Sequence, residues 1–413
     1  MNREFYAENR KTLYRSVEPG SLVILFSGRA PRKTSDEDYP YFTNRNFLYL
    51  TGIEQANTVF TALVGDDECQ EKLYILPPDF LKERWTGRRI KEQEAQDISG
   101  ITEYGNVEQF EEELGVLLRS GNVKQVYLDF DEAFRQDGSD AFRMAAKIQE
   151  NWPYIQLKDI HMQLRRQRTI KKPCEIEAMK KAATITKAGI EAMMRASKPG
   201  MYEYQYKAEF DYTLAQYGVL APGFPSIISA GDNNFCIHYN GYRGQAKDGD
   251  MILNDVGAIW DYEINDVSRG WPCNGKFTER QKLLYQCAYN TSEHMFSILK
   301  PGIPMAEVDQ IARRYNFEQL KAAGVCKSYD EIGTYMWHGG AHHVGFDVHD
   351  VVDVKGRMTE PGMVFCVDIG IYHEEWGIGF RVEDNCLITE NGCQCITSGV
   401  PKKLEDIEAF MGR

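Results

Sequence analysis

The sequence predicts an α/β N-terminal domain over residues 1–165, followed over 166–413 by an α+β domain built on an internal repeat. Three observations carry this expectation. Short apolar runs alternate with helical stretches up to residue 165, the pattern of an α/β layer fold. A basic, polar segment from Leu164 to Pro173 then interrupts that pattern. Beyond it, one supersecondary unit is used twice.

In the first domain, Ser21–Phe26, Thr58–Val64 and Val126–Leu128 read as strands, the first two too apolar to be half exposed. Glu108–Arg119 and Asp140–Glu150 read as helices. None of these strands is followed by a phosphate loop or a dinucleotide-type glycine pattern. The cations of Arg165-Arg166-Gln167-Arg168 fit a solvated linker. Pro173 then opens a helix, with Glu175 and Glu177 near the positive end of its dipole.

The repeat is visible in its turns. Lys198-Pro199-Gly200 precedes a helix from Tyr202 to Tyr217, and Lys300-Pro301-Gly302 precedes another from Met305 to Ala323. Gly249 through Asp255-Val256-Gly257 aligns without a gap on Gly362 through Asp368-Ile369-Gly370. The strands that follow set Asp266 against Glu383. Folding the first pair as a hairpin centred near Trp260 and Asp261 brings Asp255 opposite Asp266. Two carboxylates buried together repel unless a cation lies between them. A pseudo-two-fold relating the halves would bring all four acids to one place.

Four of the eight histidines lie at 338, 342, 343 and 349, in a glycine-rich segment of the same domain. Gly339 and Gly340 allow backbone to approach a ligand closely. His343 is set aside as facing away, while His161, His294 and His373 read as packing or surface residues. His238, between a strand-like Ser226–Ser229 and the first acid pair, is unremarkable alone. Carboxylates with imidazole form a hard, oxygen-rich donor set that suits Mn²⁺ or a similar cation. So many anions imply two metals rather than one.

Composition bounds the partners. A chain of 413 residues has room for two cores, and 43% hydrophobic with 26% charged content is that of a soluble globular protein. A net charge of −13 argues against nucleic acid or an anionic membrane as partner. No apolar run approaches the ~20 residues that span a bilayer. Met1–Phe5 lacks a signal-peptide pattern, and ten scattered cysteines do not resemble a disulfide framework. A reduced, cytoplasmic protein is expected.

Across nearly its whole length the sequence resembles the aminopeptidase P branch of the creatinase/methionine-aminopeptidase superfamily. The resemblance is carried by Asp38-Tyr39-Pro40-Tyr41 with Asn46 to Gly52, and by Glu83-Arg84-Trp85-Thr86-Gly87-Arg88-Arg89. In the second domain it is carried by Asp266-Val267-Ser268-Arg269 with Pro272 and Asn274 to Phe277. The spacings Asp255 to Asp266 and His338, His342, His349, with Arg381-Val382-Glu383-Asp384, complete it. The resemblance implies a creatinase-like N-domain and a pita-bread catalytic domain with two divalent ions, Mn²⁺ expected and Co²⁺ or Zn²⁺ as alternatives. It implies that Asp255 binds one metal, that Asp266 and Glu383 bridge both, and that His342 and Asp368 serve the other. His238, His338 and His349 would hold substrate and the developing oxyanion, and Arg381 would orient the adjacent Glu383. The implied reaction is hydrolysis, by a metal-bridging hydroxide, of the first peptide bond in peptides with proline second. Relatives assemble as dimers or tetramers, so a homodimer or homotetramer is expected.

One departure stands out. The family ordinarily has Glu-Pro-Gly where this chain has Asp368-Ile369-Gly370. The acid is shorter by one C–C bond, roughly 1.5 Å, which bears on the second metal's occupancy. Two competing readings follow: a Xaa-Pro dipeptidase of the prolidase kind, and a catalytically weakened binding protein on the same fold. Four intact ligand positions and a conservative fifth favour the active enzyme.

Overall fold

A computed structural model describes residues 1–135 and 138–412. The chain forms two compact units, Met1–Gln167 and Arg168–Arg413, where the sequence reading set the boundary at 165–166.

The first unit is organised on a six-stranded sheet. Its strands are β1 (Ser21–Phe26), β2 (Val59–Val64), β3 (Cys69–Ile75), β4 (Tyr104–Asn106), β5 (Gln125–Leu128) and β6 (Gln156–Asp159), in the order β4-β3-β2-β1-β5-β6. β1 and β2 pair antiparallel at the centre, and β1 pairs parallel with β5. Central strands are covered on both faces, which explains their unbroken apolar runs. The helices Phe110–Arg119 and Asp140–Asn151 pack Leu114, Leu118, Met144 and Ile148 against Leu22, Ile24 and Val126. The first helix starts later than expected, because Val107–Gln109 forms a 3₁₀ turn capped by the Asn106 side chain. The strands β3, β4 and β6 escaped the sequence reading, since none of them carries a continuous apolar run; β4 and β6 are the sheet's edges.

In the second unit, Pro173 does open a helix, Pro173–Ala196, and the Glu175 carboxylate accepts from the Lys172 N–H at 2.8 Å. The helix Glu203–Gln216 leads to β7 (Ile227–Ala230), β8 (Met251–Val256), β9 (Ile259–Trp260), β10 (Glu263–Ile264) and β11 (Val267–Pro272). In the second half, Glu279–Ile298 and Met305–Ala322 precede β12 (Ala341–His343), β13 (Val364–His373), β14 (Ile378–Ile388) and β15 (Cys393–Cys395). Corresponding glycines share one backbone state: Gly200 and Gly302 have φ of 85° and 91°, Gly249 and Gly362 84° and 88°. The repeat therefore extends to its turns.

The strands form a three-stranded sheet, β11-β8-β7, and a four-stranded one, β12-β13-β14-β15. They meet along β11 and β14. Arg269, fully buried, donates to the Glu383 carbonyl at 2.7 Å and to Asp384 Oδ1 at 2.8 Å. The Asn385 amide donates to the Asp266 carbonyl at 2.7 Å. A single large apolar core runs through both halves, including Ile252, Trp271, Leu284, Phe365 and Phe380.

The first acid pair is not arranged as expected. Asp255 lies opposite Ser268, because the hairpin turns one residue later, at Asp261 and Tyr262. Both residues have positive φ, 48° and 72°, as a two-residue type I′ turn requires. Asp255 and Asp266 are thus diagonal rather than opposed. Only in the second half are the acids directly paired, Asp368 against Glu383.

Candidate metal centre

Each strand delivers its acid by alternation. Asp255 sits on the central strand β8, between Ile227 of β7 and Ser268 of β11. Asp368 and Glu383 face each other across β13 and β14, and His342 on β12 lies opposite Cys366. His342 Nε2 is 3.2 Å from Glu383 Oε1 and 3.6 Å from Asp266 Oδ2. The other Glu383 oxygen accepts from the Ser268 hydroxyl at 2.6 Å. Asp255 Oδ2 accepts from Arg381 at 2.8 Å, and Asp368 Oδ2 lies 3.1 Å from His338 Nδ1.

That leaves three buried carboxylate oxygens without a hydrogen-bond partner: Asp255 Oδ1, Asp266 Oδ1 and Asp368 Oδ1. A buried, unsatisfied carboxylate oxygen is costly, and three in one place match a pair of bound divalent cations. Donor atoms of Asp266, His342, Cys366 and Glu383 moreover lie within 4.8 Å of one another. The residues present fit the metals that the fold implies.

Electrostatics agree. Burial, reinforced by the charges of Glu383 and Asp255, pushes the Asp266 carboxyl well above its ordinary range. Burial alone would lower the His342 imidazole, but the bond to Glu383 and its charge outweigh that and lift it to about 9. Burial, then the charges of Glu383 and Asp266, push the Cys366 thiol well up. These are the directions expected where anions crowd together in low dielectric.

The predicted histidines divide by depth. His338 is half-buried, with Nε2 3.1 Å from the Tyr372 hydroxyl, which in turn accepts from Arg381 at 3.0 Å. Gly370 makes its room, since a Cβ there would lie 2.3 Å from His338 Nε2. His349 is exposed at the rim, its ring 4.4 Å from that of His342, and burial and then the His342 charge lower it. His238 is exposed, and its effect on His349 is electrostatic. His343 packs on Phe365 on the opposite face of β12. His161 pairs with Asp129 at 2.7 Å, while His294 and His373 stack on Tyr315 and Trp376.

Arg381 corrects the expectation. Its guanidinium bonds Asp255, Tyr372 and the Ile237 carbonyl, not Glu383. Ser268 stands between them, its hydroxyl taking the Glu383 oxygen. Sequence reasoning missed Ser268, Tyr372 and Cys366 as site residues. The signal for Cys366 and Tyr372 was strand parity with Asp368, the first two residues before it and the second four after. An aromatic wall adjoins His338: Trp337 stacks on Tyr372 at 4.5 Å and meets Phe235 at 5.9 Å.

The model of metallopeptidase family M24 matches residues 177–390, more than half of the chain and spanning every candidate ligand. The model of the aminopeptidase P N-terminal domain matches residues 6–138. This chain belongs to metallopeptidase family M24, in its aminopeptidase P branch. Among M24 relatives, the Xaa-Pro aminopeptidase of Escherichia coli (strain K12) is 28% identical over 433 residues, covering 100% of this chain and 98% of that protein. A Bacillus anthracis structure assigned to aminopeptidase P superposes with a TM-score of 0.97 at 34% identity, covering 100% of this chain and 99% of the other. The Zn-substituted E. coli aminopeptidase P in complex with product superposes at 0.91 with 28% identity, covering 100% and 98%. The two-domain M24 architecture is therefore that of this chain.

Proposed function

We propose that this chain is a Xaa-Pro aminopeptidase, hydrolysing the first peptide bond of peptides that carry proline second. The observation that carries the reading is the set of buried, unpartnered oxygens on Asp255, Asp266 and Asp368, gathered about Asp266, in an M24 chain. Asp255 would hold one divalent cation and His342 with Asp368 the other, Asp266 and Glu383 being shared. Mn²⁺ suits the oxygen-rich set. Bound there, the cations supply an activated water and a Lewis acid for the scissile carbonyl.

The chain's own residues do the rest. Arg381 and Ser268 hold Asp255 and Glu383 in fixed orientations, so little reorganisation accompanies reaction. His338 holds Asp368 Oδ2, which leaves Oδ1, without a hydrogen bond, to face the cation. His338, His349 and His238 line the approach and can donate to a substrate carbonyl. Phe235, Trp337 and Tyr372 offer an apolar surface suited to a prolyl ring. Ten free thiols are consistent with a cytoplasmic location, and assembly as a homodimer or homotetramer belongs to the same reading. Among the described residues no helix is long and apolar enough to cross a membrane.

The test is release of the first residue from Xaa-Pro-Yaa peptides, beside Xaa-Pro dipeptides, with added Mn²⁺, Co²⁺ or Zn²⁺ and the bound metal counted. Turnover of the longer peptides is expected. Cleavage of the dipeptide alone would assign a prolidase-like activity instead, and neither metal binding nor turnover would assign a binding protein.

A further inference from the structure

Cys366 occupies the middle of the ligand face in the second half. Side chains on β13 alternate, so Cys366 and Asp368 share one face. In the register, Cys366 is flanked by His342 of β12 and Asn385 of β14, and the next row sets Asp368 opposite Glu383. Directly opposed residues on one face stand about 4.5–5.5 Å apart at Cβ, so the thiol is surrounded by donors. Its sulfur lies within 4.8 Å of donor atoms on Asp266, His342 and Glu383. Its sulfur accepts from the Asn385 amide at 3.2 Å and its thiol interacts with the Glu383 carboxylate, which together pin the sulfur in place.

A cysteine serving only to fill space is an apolar element, and its usual neighbours are apolar. Cys366 does share an apolar cluster with Val344 and Leu387, but it also adjoins Asp266, which is 2% exposed and has an oxygen without a partner, and shares its strand face with Asp368, which is 7% exposed with another. These oxygens independently mark the place as one that holds a cation.

We propose that Cys366 Sγ is a ligand of the cation held by Asp266, His342 and Glu383, so that this subsite is a mixed oxygen, nitrogen and sulfur site. The proposal rests on the reading of the cluster as a metal centre. On binding, the S–H bond breaks, its proton leaves to solvent and a cation–sulfur bond forms. Thiolate is a soft donor. It favours Zn²⁺, Cd²⁺ and Co²⁺ over Mn²⁺ relative to an all-oxygen and imidazole set. The chain thus departs from the family's ligand face at two positions on one strand, with a shortened but still hard carboxylate at 368 and a soft thiol at 366.

The experiment uses the full-length protein stripped by chelator and reloaded with Co²⁺. A sulfur-to-cobalt charge-transfer band in the near-ultraviolet is expected in the wild type and in Cys174→Ser, which alters an exposed thiol elsewhere. Cys366→Ser, checked by circular dichroism, is expected to bind Co²⁺ without that band. Its preference for Cd²⁺ over Mn²⁺ in competition titrations should fall by roughly tenfold or more. If Cys366→Ser does not fold, the wild-type spectrum still decides: a Co²⁺-loaded protein without the band overturns the proposal. So does a band and a Cd²⁺/Mn²⁺ ratio unchanged in Cys366→Ser, while the metal centre itself stands. Failure of the wild type to bind any of the three ions would instead overturn the metal reading beneath it.

Discussion

Ser268 and Arg381 divide the task of holding two carboxylates that would otherwise repel. The serine hydroxyl takes Glu383 and the guanidinium takes Asp255, leaving Asp266 between them with an oxygen unsatisfied. Removing one shared acid should therefore cost the cations, not just the rate. Asp266→Asn or Glu383→Gln is expected to abolish turnover and to reduce the metal counted per chain, and a near-normal rate in either would refute a shared-ligand centre. Asp368→Glu restores the longer acid at a position that already has its His338 contact. Metal affinity in a titration should hold or rise; a collapse would mean that the pocket has been rebuilt around the shorter side chain. Asp255, Asp266, His342, Asp368 and Glu383 could be named from residue type and spacing. Ser268 could not, because a hydroxyl reveals its role only through the oxygen it meets, 115 residues away in the chain.

At the scale of elements, the β8–β11 hairpin shows how far periodicity reaches. Alternation placed Asp255 and Asp266 on one face, but the register depended on which residues make the turn. Asp261 and Tyr262 adopt positive φ, and this shifts the pairing so that Asp255 meets Ser268. A neighbouring glycine then becomes indispensable. A Cβ on Gly257 would lie 1.5 Å from the Asn265 carbonyl oxygen, a backbone atom that cannot swing aside. Gly257→Ala is expected to lose about 3 kcal/mol or more, read in denaturant melts of the purified variant. Stability within 1 kcal/mol of wild type would show that the hairpin can open without cost. The polar strand β4 at the edge of the first sheet stayed invisible for a different reason: edge residues can be stabilised by pairing without any apolar pattern of their own.

At the scale of the second unit as a whole, a buried ionic cluster ties the segment before the helix Pro173–Ala196 to the loop that carries His349. Lys171 Nζ donates to Asp350 at 2.5 Å and to the Arg168 carbonyl at 2.6 Å, and Arg168 donates to both Asp350 and Asp347. Burial would raise the Asp350 carboxyl, but the Arg168 and Lys171 cations outweigh it and hold it below the usual range. Asp350→Asn leaves Lys171 buried without its counter-charge and should cost roughly 3–5 kcal/mol near neutral pH. A depressed carboxylate stabilises above its unfolded value, and that contribution is lost as pH falls below about 4. The wild type should thus lose stability in acid more steeply than Asp350→Asn, in paired melts across that range. Metal links to stability in the same way. At 100 times its Kd a divalent cation should add about 2.7 kcal/mol, and Asp266→Asn should abolish the rise in melting temperature.

By itself the sequence determined which side chains could meet at the centre, because residue type, strand parity and an internal repeat are local properties written along the chain. Tertiary structure alone decided which oxygens remain without a partner, that Arg381 serves Asp255, and that a thiol stands beside the acids. Each of these depends on contacts between strands of opposite halves or on a register set by one turn. The physical reason is that a carboxylate's need for a cation is settled by what fails to reach it, and spacing along the chain does not record that.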